Sequence, residues 1–366
     1  MTYPPPRITR RTLLGGALYL GAGAVLAACG ADGAAALPGI TTSGGGATAS
    51  PASGAPAAPA TPASDAALRA DPGESAAAAL AADARTWVVP RAVRQGAAFL
   101  IAIDGAAAGV GSVAFNGQVM SLLREGSRLY TILGIDALTP VGPLPVNISL
   151  AEPGGRLALV QETLAEVTTA DWQTEVIELD ASNRELLDPA VRAEDAAARD
   201  PVFRRITPER HWNGVFDPPS RGVITSSYGL LRSYNFGPVD EYHTGLDFAG
   251  EVGDPILAPN AGVVAWVGQT RRRGNGLVID HGGGVFSGYY HMSEAFLSVG
   301  AVVKTGDFIG RIGATGLATG PHLHWEMIVH AVTVDPVQWL RIAEYPDPAA
   351  VLDPADAIKS PNQIAP

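Results

Sequence analysis

The sequence predicts a mainly β protein with two β-rich domains, and three observations support this fold class. Short apolar segments separated by turn residues run through residues 86–183, which is the pattern of half-buried strands. Residues 222–340 are rich in glycine and contain a stretch of alternating side chains at 322–329. Glycine (43 residues) and proline (29 residues) together approach a fifth of the 366-residue chain, so many turns are expected.

The length, charge and cysteine content limit the classes of protein to consider. At roughly 150 residues per domain, 366 residues suggest about two domains. The 36 acidic and 25 basic residues give a net charge of −11, which disfavours a general nucleic-acid binder. A single cysteine excludes intrachain disulfides and a cysteine-rich zinc site, so any transition-metal site must use histidines and carboxylates. We expect a monomer without a nucleic-acid partner.

Residues 1–28 have the features of an export signal. Three arginines and no acidic residue precede sixteen uncharged residues, and the segment ends at Leu26-Ala27-Ala28-Cys29. This pattern resembles a bacterial lipoprotein signal, which implies cleavage and lipidation at Cys29. The pair Arg10-Arg11 resembles a twin-arginine signal, although a general secretory signal also accommodates two arginines. The expected location is the cell envelope, with a lipid anchor on the outer side of the cytoplasmic membrane or in the periplasm or outer membrane.

Three further segments are assigned outside the two domains. Residues 29–85 are dominated by Ala, Gly, Pro, Ser and Thr and are predicted to form a linker, because such a composition buries too little apolar surface to fold. Residues 184–221 are predicted to form a helical connector, with Asp188 as N-cap and Pro189 at the first helical position. Residues 341–366 are assigned as a C-terminal tail.

Residues 86–183 contain seven candidate strands, and short strands at this spacing indicate a small β-sandwich. The candidates are Ala98–Asp104, Val110–Phe115, Val119–Leu123, Leu129–Ile132, Val146–Leu150, Leu157–Gln161 and Thr174–Leu179. Asn116-Gly117 predicts a tight hairpin, because both residues tolerate positive φ. This domain contains neither histidine nor cysteine and shows no catalytic pattern. A spacer, a partner-binding module and a shield for the next domain are all compatible with it.

All seven histidines lie between residues 211 and 330, where two short motifs stand out. His243-Thr244-Gly245-Leu246-Asp247 has H-x3-D spacing, and His322-Leu323-His324 has H-x-H spacing. Because alternate residues of a strand share a face, His322 and His324 can point into one site. Two imidazoles and one carboxylate make a three-ligand zinc set with a fourth position left for water, which is typical of catalytic zinc.

Several motifs run in order through residues 222–339. They are Ile224-Thr225-Ser226-Ser227-Tyr228-Gly229, Tyr242-His243-Thr244-Gly245-Leu246-Asp247-Phe248, Pro255-Ile256-Leu257-Ala258-Pro259, Gly262-Val263-Val264, Gly276–Gly282, Tyr289-Tyr290-His291-Met292, Gly306–Gly316 and Gly320-Pro321-His322-Leu323-His324. This series resembles the LytM/lysostaphin-type zinc metallopeptidases, which cut peptide bonds in bacterial peptidoglycan. The resemblance covers roughly a third of the chain and implies an antiparallel β-sheet zinc-peptidase domain at residues 222–340.

The resemblance also implies the residues of the site. One Zn²⁺ per chain is implied, with the ligands His243, Asp247 and His324. His291 and His322 match two catalytic histidines, and the pattern does not divide the roles between them. Since the sequence contains no H-E-x-x-H motif, histidine replaces glutamate as the general acid and base.

Other polar residues near these motifs have two interpretations each. Tyr228 and Tyr234 are candidates for the tyrosine that stabilises the oxyanion in the family. The run Arg271-Arg272-Arg273 is read as a solvated hairpin loop, with a cationic rim for stem-peptide carboxylates as the alternative. The side chain of Glu326 either supports the metal ligands or lies on the surface. We interpret the remaining histidines as structural: His211, His281 and His330.

The predicted function is that of a zinc metalloendopeptidase that hydrolyses peptide cross-links of bacterial peptidoglycan, with stem peptides and cross-bridges as its partners. In this mechanism a zinc-bound water attacks the scissile carbonyl with help from histidine as general acid and base. The alternative is a non-catalytic wall-binding protein or amidase activator, against which the complete ligand set argues. A third option is a peptidase for a non-wall protein, such as a glycine-rich chain. The sequence does not choose between D,D and glycyl cross-links.

Overall fold

The computed structural model describes residues 85–105, 109–152 and 157–340, and most of its regular structure is β-strand. The mainly β fold class is therefore confirmed for the described part of the chain. The export signal, the lipidation site Cys29, nearly all of the linker and the C-terminal tail lie outside the described residues.

The first nine strands form two sheets that pack face to face. They are β1 (Arg85–Val89), β2 (Ala92–Arg94), β3 (Ala98–Asp104), β4 (Val110–Phe115), β5 (Gln118–Ser121), β6 (Leu123–Glu125), β7 (Arg128–Gly134), β8 (Gly142–Ala151) and β9 (Leu157–Thr168). One sheet has the order β1-β3-β7-β6, and the other has the order β2-β9-β8-β4-β5. Their inner faces share an apolar cluster in which Phe99 and Phe115 meet edge to face at 5.4 Å. This arrangement agrees with the predicted β-sandwich.

The predicted turn at Asn116-Gly117 is confirmed, whereas one predicted sandwich strand belongs elsewhere. Asn116 and Gly117 have φ values of 45° and 76° and join β4 to β5 as a two-residue hairpin. β10 (Thr174–Ile177) pairs in parallel with β12 (Leu231–Tyr234), which in turn pairs with β13 (Val239–Tyr242). The assignment of this strand to the sandwich was wrong, because side-chain alternation predicts a strand without specifying its partner.

Helical structure follows β10, over a shorter range than predicted for the connector. A short helix α1 (Ala181–Arg184) and a 3-10 turn (Glu185–Leu187) lead into helix α2 (Pro189–Phe203). Asp188 is the N-cap of α2, since its carboxylate accepts a hydrogen bond from Ala190 N at 2.8 Å. Val191, Asp195, Val202 and Phe203 form the buried side of the helix.

The C-terminal half is dominated by an antiparallel sheet of eight strands. Its members are β11 (Ile224–Ser226), β14 (Leu246–Ala249), β16 (Gly262–Thr270), β17 (Gly274–Gly282), β18 (Val285–Met292), β20 (Val302–Val303), β22 (His322–Val329) and β23 (Val332–Val334). Along the sheet the order is β11-β14-β22-β18-β17-β16-β20, with β23 paired to β22. A small sheet, β15 (Pro255–Leu257), β21 (Phe308–Arg311) and β19 (Glu294–Ala295), and a 3-10 turn (Pro336–Trp339) complete the described elements.

One apolar core joins the sandwich to the large sheet. The outer face of β1-β3-β7-β6 contributes Leu100 and Tyr130 to the cluster that also contains Trp325 and Trp339. Gln338 adds a polar contact, because its side-chain amide accepts from Ala98 N at 2.8 Å and donates to Ala98 O at 2.9 Å.

Among the described residues, no helix combines the length and the apolar character that a membrane crossing requires.

Candidate metal centre

Two neighbouring strands and one turn bring the H-x3-D and H-x-H motifs together. β14 and β22 are antiparallel, and Asp247 lies directly opposite His324 in their register. His243 precedes β14 in a turn that crosses β22 at Gly245, where a Cβ atom would lie 2.3 Å from Trp325 O. Only glycine allows this close approach, so the turn places His243 beside the side chains of the two strands.

The three side chains converge on one point. His243 Nε2 lies 3.0 Å from Asp247 Oδ1, His324 Nδ1 lies 2.8 Å from the same oxygen, and the two nitrogens are 2.9 Å apart. All three residues are buried. Within the described residues, these three side chains are close enough together to hold a metal ion.

The surroundings of the two imidazoles fit a metal ion. His243 Nδ1 faces the carbonyl oxygen of Ser227 at 2.9 Å, and since a carbonyl only accepts, this nitrogen carries the proton. Its Nε2 therefore directs a lone pair at the cluster. His324 Nε2 lies 3.1 Å from the carboxylate of Glu326, which can accept its proton, and 2.9 Å from Arg273 Nη1, which can only donate. Two imidazoles and a carboxylate are a donor set that suits Zn²⁺.

The protonation states of the cluster agree with this donor set. Burial and the nearby Arg232 guanidinium lower the pKa of His243 to about 4, so its imidazole is neutral near pH 7. Burial by itself would raise the pKa of Asp247, but the contacts with His243 and His324 hold this pKa below its usual range. The cluster thus combines a neutral imidazole with an ionised carboxylate, as metal ligation requires.

His291 and His322 stand together beside this cluster. Their ring centroids are 4.7 Å apart, and His322 Nε2 lies 3.8 Å from Asp247 Oδ1. Each Nδ1 faces a carbonyl oxygen, that of Thr315 at 2.7 Å for His291 and that of Gly320 at 2.9 Å for His322. The Nε2 atoms are therefore the nitrogens that can accept a proton.

Burial keeps both of these histidines neutral. Burial and the neighbouring His322 ring hold the pKa of His291 well below its usual value. Burial also lowers the pKa of His322. His291 adopts a left-handed backbone conformation with φ of 59°, which is uncommon for a residue other than glycine and is a feature of functional sites.

The two tyrosine candidates occupy different environments. Tyr228 is buried, and its hydroxyl donates to Thr333 O at 2.8 Å. Tyr234 lines the cleft that contains the metal cluster. Of the two, Tyr234 is thus the one that a substrate in this cleft can reach.

The interpretation of the arginine run as a solvated loop was correct for only one of its members. Arg271 is exposed and pairs with Glu185. Arg272 and Arg273 line the cleft, where Arg272 pairs with Glu241 at 2.7 Å and Arg273 pairs with the fully buried Glu326. These two side chains turn inward because buried carboxylates need a charged partner. The arginine run itself does not reveal this orientation, since the carboxylates lie elsewhere in the chain.

The sequence analysis did not identify three charged residues near the cluster: Arg232, Asp195 and Arg199. It also left open whether Glu326 is buried or on the surface. Glu326 is 1% exposed and hydrogen-bonds the ligand candidate His324; its parity with His322 and His324 on β22 was the available signal. Arg232 Nη2 lies 3.6 Å from Asp247 Oδ2. Asp195 and Arg199 reach the site from α2, and no sequence pattern marks them.

The cluster lies in a cleft of about 650 Å³. Its walls come from β10, α2, the β12–β13 hairpin and the loop before β22. Among the lining residues, Glu241 pairs with Arg192 and Arg272, both at 2.7 Å. The cleft is lined by charged side chains of both signs.

Comparisons with known proteins agree with the motifs. Residues 241–336 match the model of peptidase family M23. The DD-carboxypeptidase/endopeptidase Mpg of Neisseria meningitidis is 41% identical over 95 residues, which cover 26% of this chain and 22% of Mpg. The peptidoglycan DD-endopeptidase ShyA of Vibrio cholerae is 38% identical over 116 residues, which cover 32% of this chain and 27% of ShyA. The chain thus spans less than a third of the length of these curated relatives.

One solved structure is similar to part of the chain. The catalytic domain of the antimicrobial peptidase lysostaphin from Staphylococcus simulans is 28% identical, with 34% of this chain and 90% of that domain covered and a TM-score of 0.26. The residues that match the family model include both candidate metal-binding motifs. The chain therefore contains a peptidase domain of family M23, the LytM/lysostaphin type that its motifs predict.

Proposed function

We propose that this protein is a zinc metalloendopeptidase that hydrolyses peptide cross-links of bacterial cell-wall peptidoglycan. The observation that carries the proposal is the convergence of three buried ligand atoms with two neutral histidines in one cleft. The M23 family membership of this domain supports a peptidase, and relatives named as peptidoglycan DD-endopeptidases support the substrate class.

His243 Nε2, Asp247 Oδ1 and His324 Nδ1 would hold the zinc ion. When bound, zinc supplies Lewis acidity that activates a water molecule and polarises the scissile carbonyl. Ser227 O keeps His243 in the tautomer that ligation needs, and the Glu326 carboxylate can accept the Nε2 proton of His324 when Nδ1 binds the metal.

His291 and His322 would move the protons of the reaction. Because their Nδ1 atoms are directed at carbonyl oxygens, Nε2 of either ring can take a proton from the attacking water and return it to the leaving amine. Both rings are neutral near pH 7, which is the state that accepts a proton. Tyr234, on the cleft wall, is the candidate to hydrogen-bond the oxyanion.

We also propose that the protein acts in the cell envelope as a lipid-anchored monomer. The lipoprotein-like signal that ends at Cys29 supports the anchor, and a peptidoglycan substrate requires a location outside the cytoplasm. The Ala-, Gly- and Pro-rich residues 31–65 would act as a tether on the order of 30 Å long between the lipid and the folded domains.

Digestion of purified sacculi, followed by mass spectrometry of the products, tests the proposal. We expect the wild-type protein to release muropeptides cut at a peptide cross-link, and a chelator or His324→Ala to abolish the release. His211→Ala, a histidine substitution away from the cleft, serves as the matched control and should retain activity. Muropeptide release by a folded, metal-free His324→Ala protein would contradict the proposal. Absence of products with the wild type would favour the amidase-activator alternative, and cleavage of glycine-rich proteins alone would favour the third option.

A further inference from the structure

Helix α2 precedes the segment that matches the peptidase family, yet it contacts residues that lie next to the metal cluster. The matching segment is residues 241–336, whereas α2 spans Pro189–Phe203. Asp195 and Arg199, four residues apart and hence on the same side of the helix, both point into the large sheet. Both are largely buried, Asp195 with 4% of its surface exposed and the Arg199 side chain with 11%.

The Asp195 carboxylate accepts hydrogen bonds from the turn that follows β16. Its Oδ2 accepts from Thr270 Oγ1 at 2.8 Å, Arg272 N at 2.9 Å and Arg273 N at 3.0 Å, and its Oδ1 accepts from Arg271 N at 3.1 Å. Successive backbone N–H groups that surround one carboxylate form a stable anion nest. This contact therefore fixes the backbone from which the Arg273 side chain extends into the cleft.

Arg199 contacts the buried carboxylate of Glu326, which lies on β22 with His324. Its Nη1 donates to Tyr290 OH at 2.9 Å and lies 3.4 Å from Glu326 Oε2. The other oxygen of Glu326 accepts from Thr244 Oγ1 at 2.5 Å and from Arg273. Arg199 thus occupies one oxygen of this carboxylate and leaves the other directed at the metal cluster.

Glu326 and Arg273 meet at the outer nitrogen of His324. His324 Nε2 lies 3.1 Å from Glu326 Oε1 and 2.9 Å from Arg273 Nη1. The orientation of the His324 ring, and with it the direction of Nδ1, depends on these two side chains. Contacts of this kind commonly change metal affinity by 10- to 100-fold.

We propose that α2 is part of the catalytic unit, with Asp195 and Arg199 as positioning residues that orient His324 through Arg273 and Glu326. The inference rests on the proposed metal centre. It extends the functional domain to a helix that lies before the family-matching segment, and it assigns to that helix the task of fixing one ligand.

Zinc affinity of the full chain, measured by competition with a fluorescent chelator, tests the inference. Arg199→Met removes the charge and Arg199→Lys keeps it. Arg204→Met, at the exposed residue that directly follows the same helix, is the matched control. We expect Arg199→Met to weaken zinc binding roughly 10- to 100-fold, Arg199→Lys to recover part of the loss, and Arg204→Met to bind as the wild type does. Asp195→Asn, which replaces one accepting oxygen by a donor, should also weaken binding.

Two further measurements separate positioning from general stability. Thermal unfolding of the metal-free proteins reports folding, and the visible spectrum of the cobalt-substituted proteins reports ligand geometry. Zinc affinity and cobalt spectra unchanged in folded Arg199 variants would overturn the inference, even if the unfolding temperature fell. If Arg199→Met does not fold, Arg199→Lys and Asp195→Asn decide by the same criteria. A wild-type chain that binds no zinc would instead overturn the proposed function, and this inference with it.

Discussion

At the scale of single residues, the histidines of this chain differ in what their ring nitrogens face. Those of the ligand set direct one nitrogen at the cluster, as His243 does with Nε2. His291 and His322 direct Nδ1 at carbonyl oxygens and stand beside the cluster. His281 is fully buried between Ala261 O and Ser287 Oγ, away from the cleft. Because Nδ1 of His243 also faces a carbonyl oxygen, the roles are distinguished by what the other ring nitrogen faces.

The division between ligands and proton-transfer groups leads to a kinetic prediction. His291→Ala should lower kcat on muropeptide substrates by roughly 100- to 10,000-fold, because a general acid–base group is lost, while zinc stoichiometry stays near one per chain. His324→Ala should lose both activity and zinc. Steady-state kinetics together with metal analysis by mass spectrometry checks this. A His291→Ala protein that loses its zinc would show that the residue is a ligand.

A second prediction at this scale concerns stability against acid. Burial lowers the pKa of His281 to about 4, whereas an unfolded histidine titrates near 6.5. The unfolded state therefore binds more protons between these pH values, so the stability contribution is intact above pH 6.5 and is lost as the pH falls towards 4. For this residue the loss between pH 7 and 5 is about 2 kcal/mol.

Urea unfolding of metal-free wild-type and His281→Gln proteins at pH 7 and pH 5 measures this contribution. The Gln variant is expected to be less stable at pH 7, because the hydrogen bond to Ala261 O and the packing around the ring change. Its free energy of unfolding should nevertheless fall by about 2 kcal/mol less than that of the wild type between the two pH values. Parallel pH dependences in the two proteins would contradict the prediction.

At the scale of elements, register and close approach assemble the site. The antiparallel pairing of β14 with β22 sets Asp247 opposite His324, and a shift by one residue would turn one of them to the other face. The turn between β13 and β14 can add His243 only because Gly245 has no side chain. The H-x3-D spacing is thus a consequence of a tight crossing over β22.

Gly245→Ala should therefore destroy the metal centre. Its Cβ would lie 2.3 Å from Trp325 O, a backbone atom that cannot move without disturbing β22. We expect zinc binding to fall by at least tenfold and the free energy of unfolding to fall by about 2 kcal/mol or more. Chelator competition and urea unfolding measure the two effects. Wild-type zinc affinity in this variant would show that the turn tolerates a side chain.

At the scale of the whole molecule, the sandwich and the peptidase sheet are not independent. Leu100 and Tyr130 on the sandwich share a core with Trp325 and Trp339, and Gln338 completes the hydrogen bonds of Ala98. β10, which follows the last sandwich strand in the chain, lines the cleft through the sheet it forms with β12. The described residues should therefore unfold as one cooperative unit, with the sandwich acting as a structural support for the cleft.

Gln338→Ala tests this coupling. Truncation leaves the buried N–H and C=O of Ala98 without their partner, which should cost about 2–4 kcal/mol. Unfolding followed by tryptophan fluorescence and by far-ultraviolet circular dichroism should remain a single, coincident transition at lower denaturant concentration. Gln118→Ala, at an exposed glutamine in the sandwich, is the control and should change stability by less than about 0.5 kcal/mol. Two separate transitions in the wild type would contradict a shared core.

By itself the sequence determined the β-rich class, the hairpin at Asn116-Gly117 and the helix cap at Asp188, because each depends on local backbone preferences or on alternation along one strand. It also brought out the H-x3-D and H-x-H motifs, whose residues lie within a few positions of one another. Only the tertiary structure decided which strand β10 joins, which tyrosine faces the cleft, and that α2 supplies Asp195 and Arg199. These contacts join positions far apart in the chain, and since burial of each charge depends on a distant partner, no local pattern encodes them.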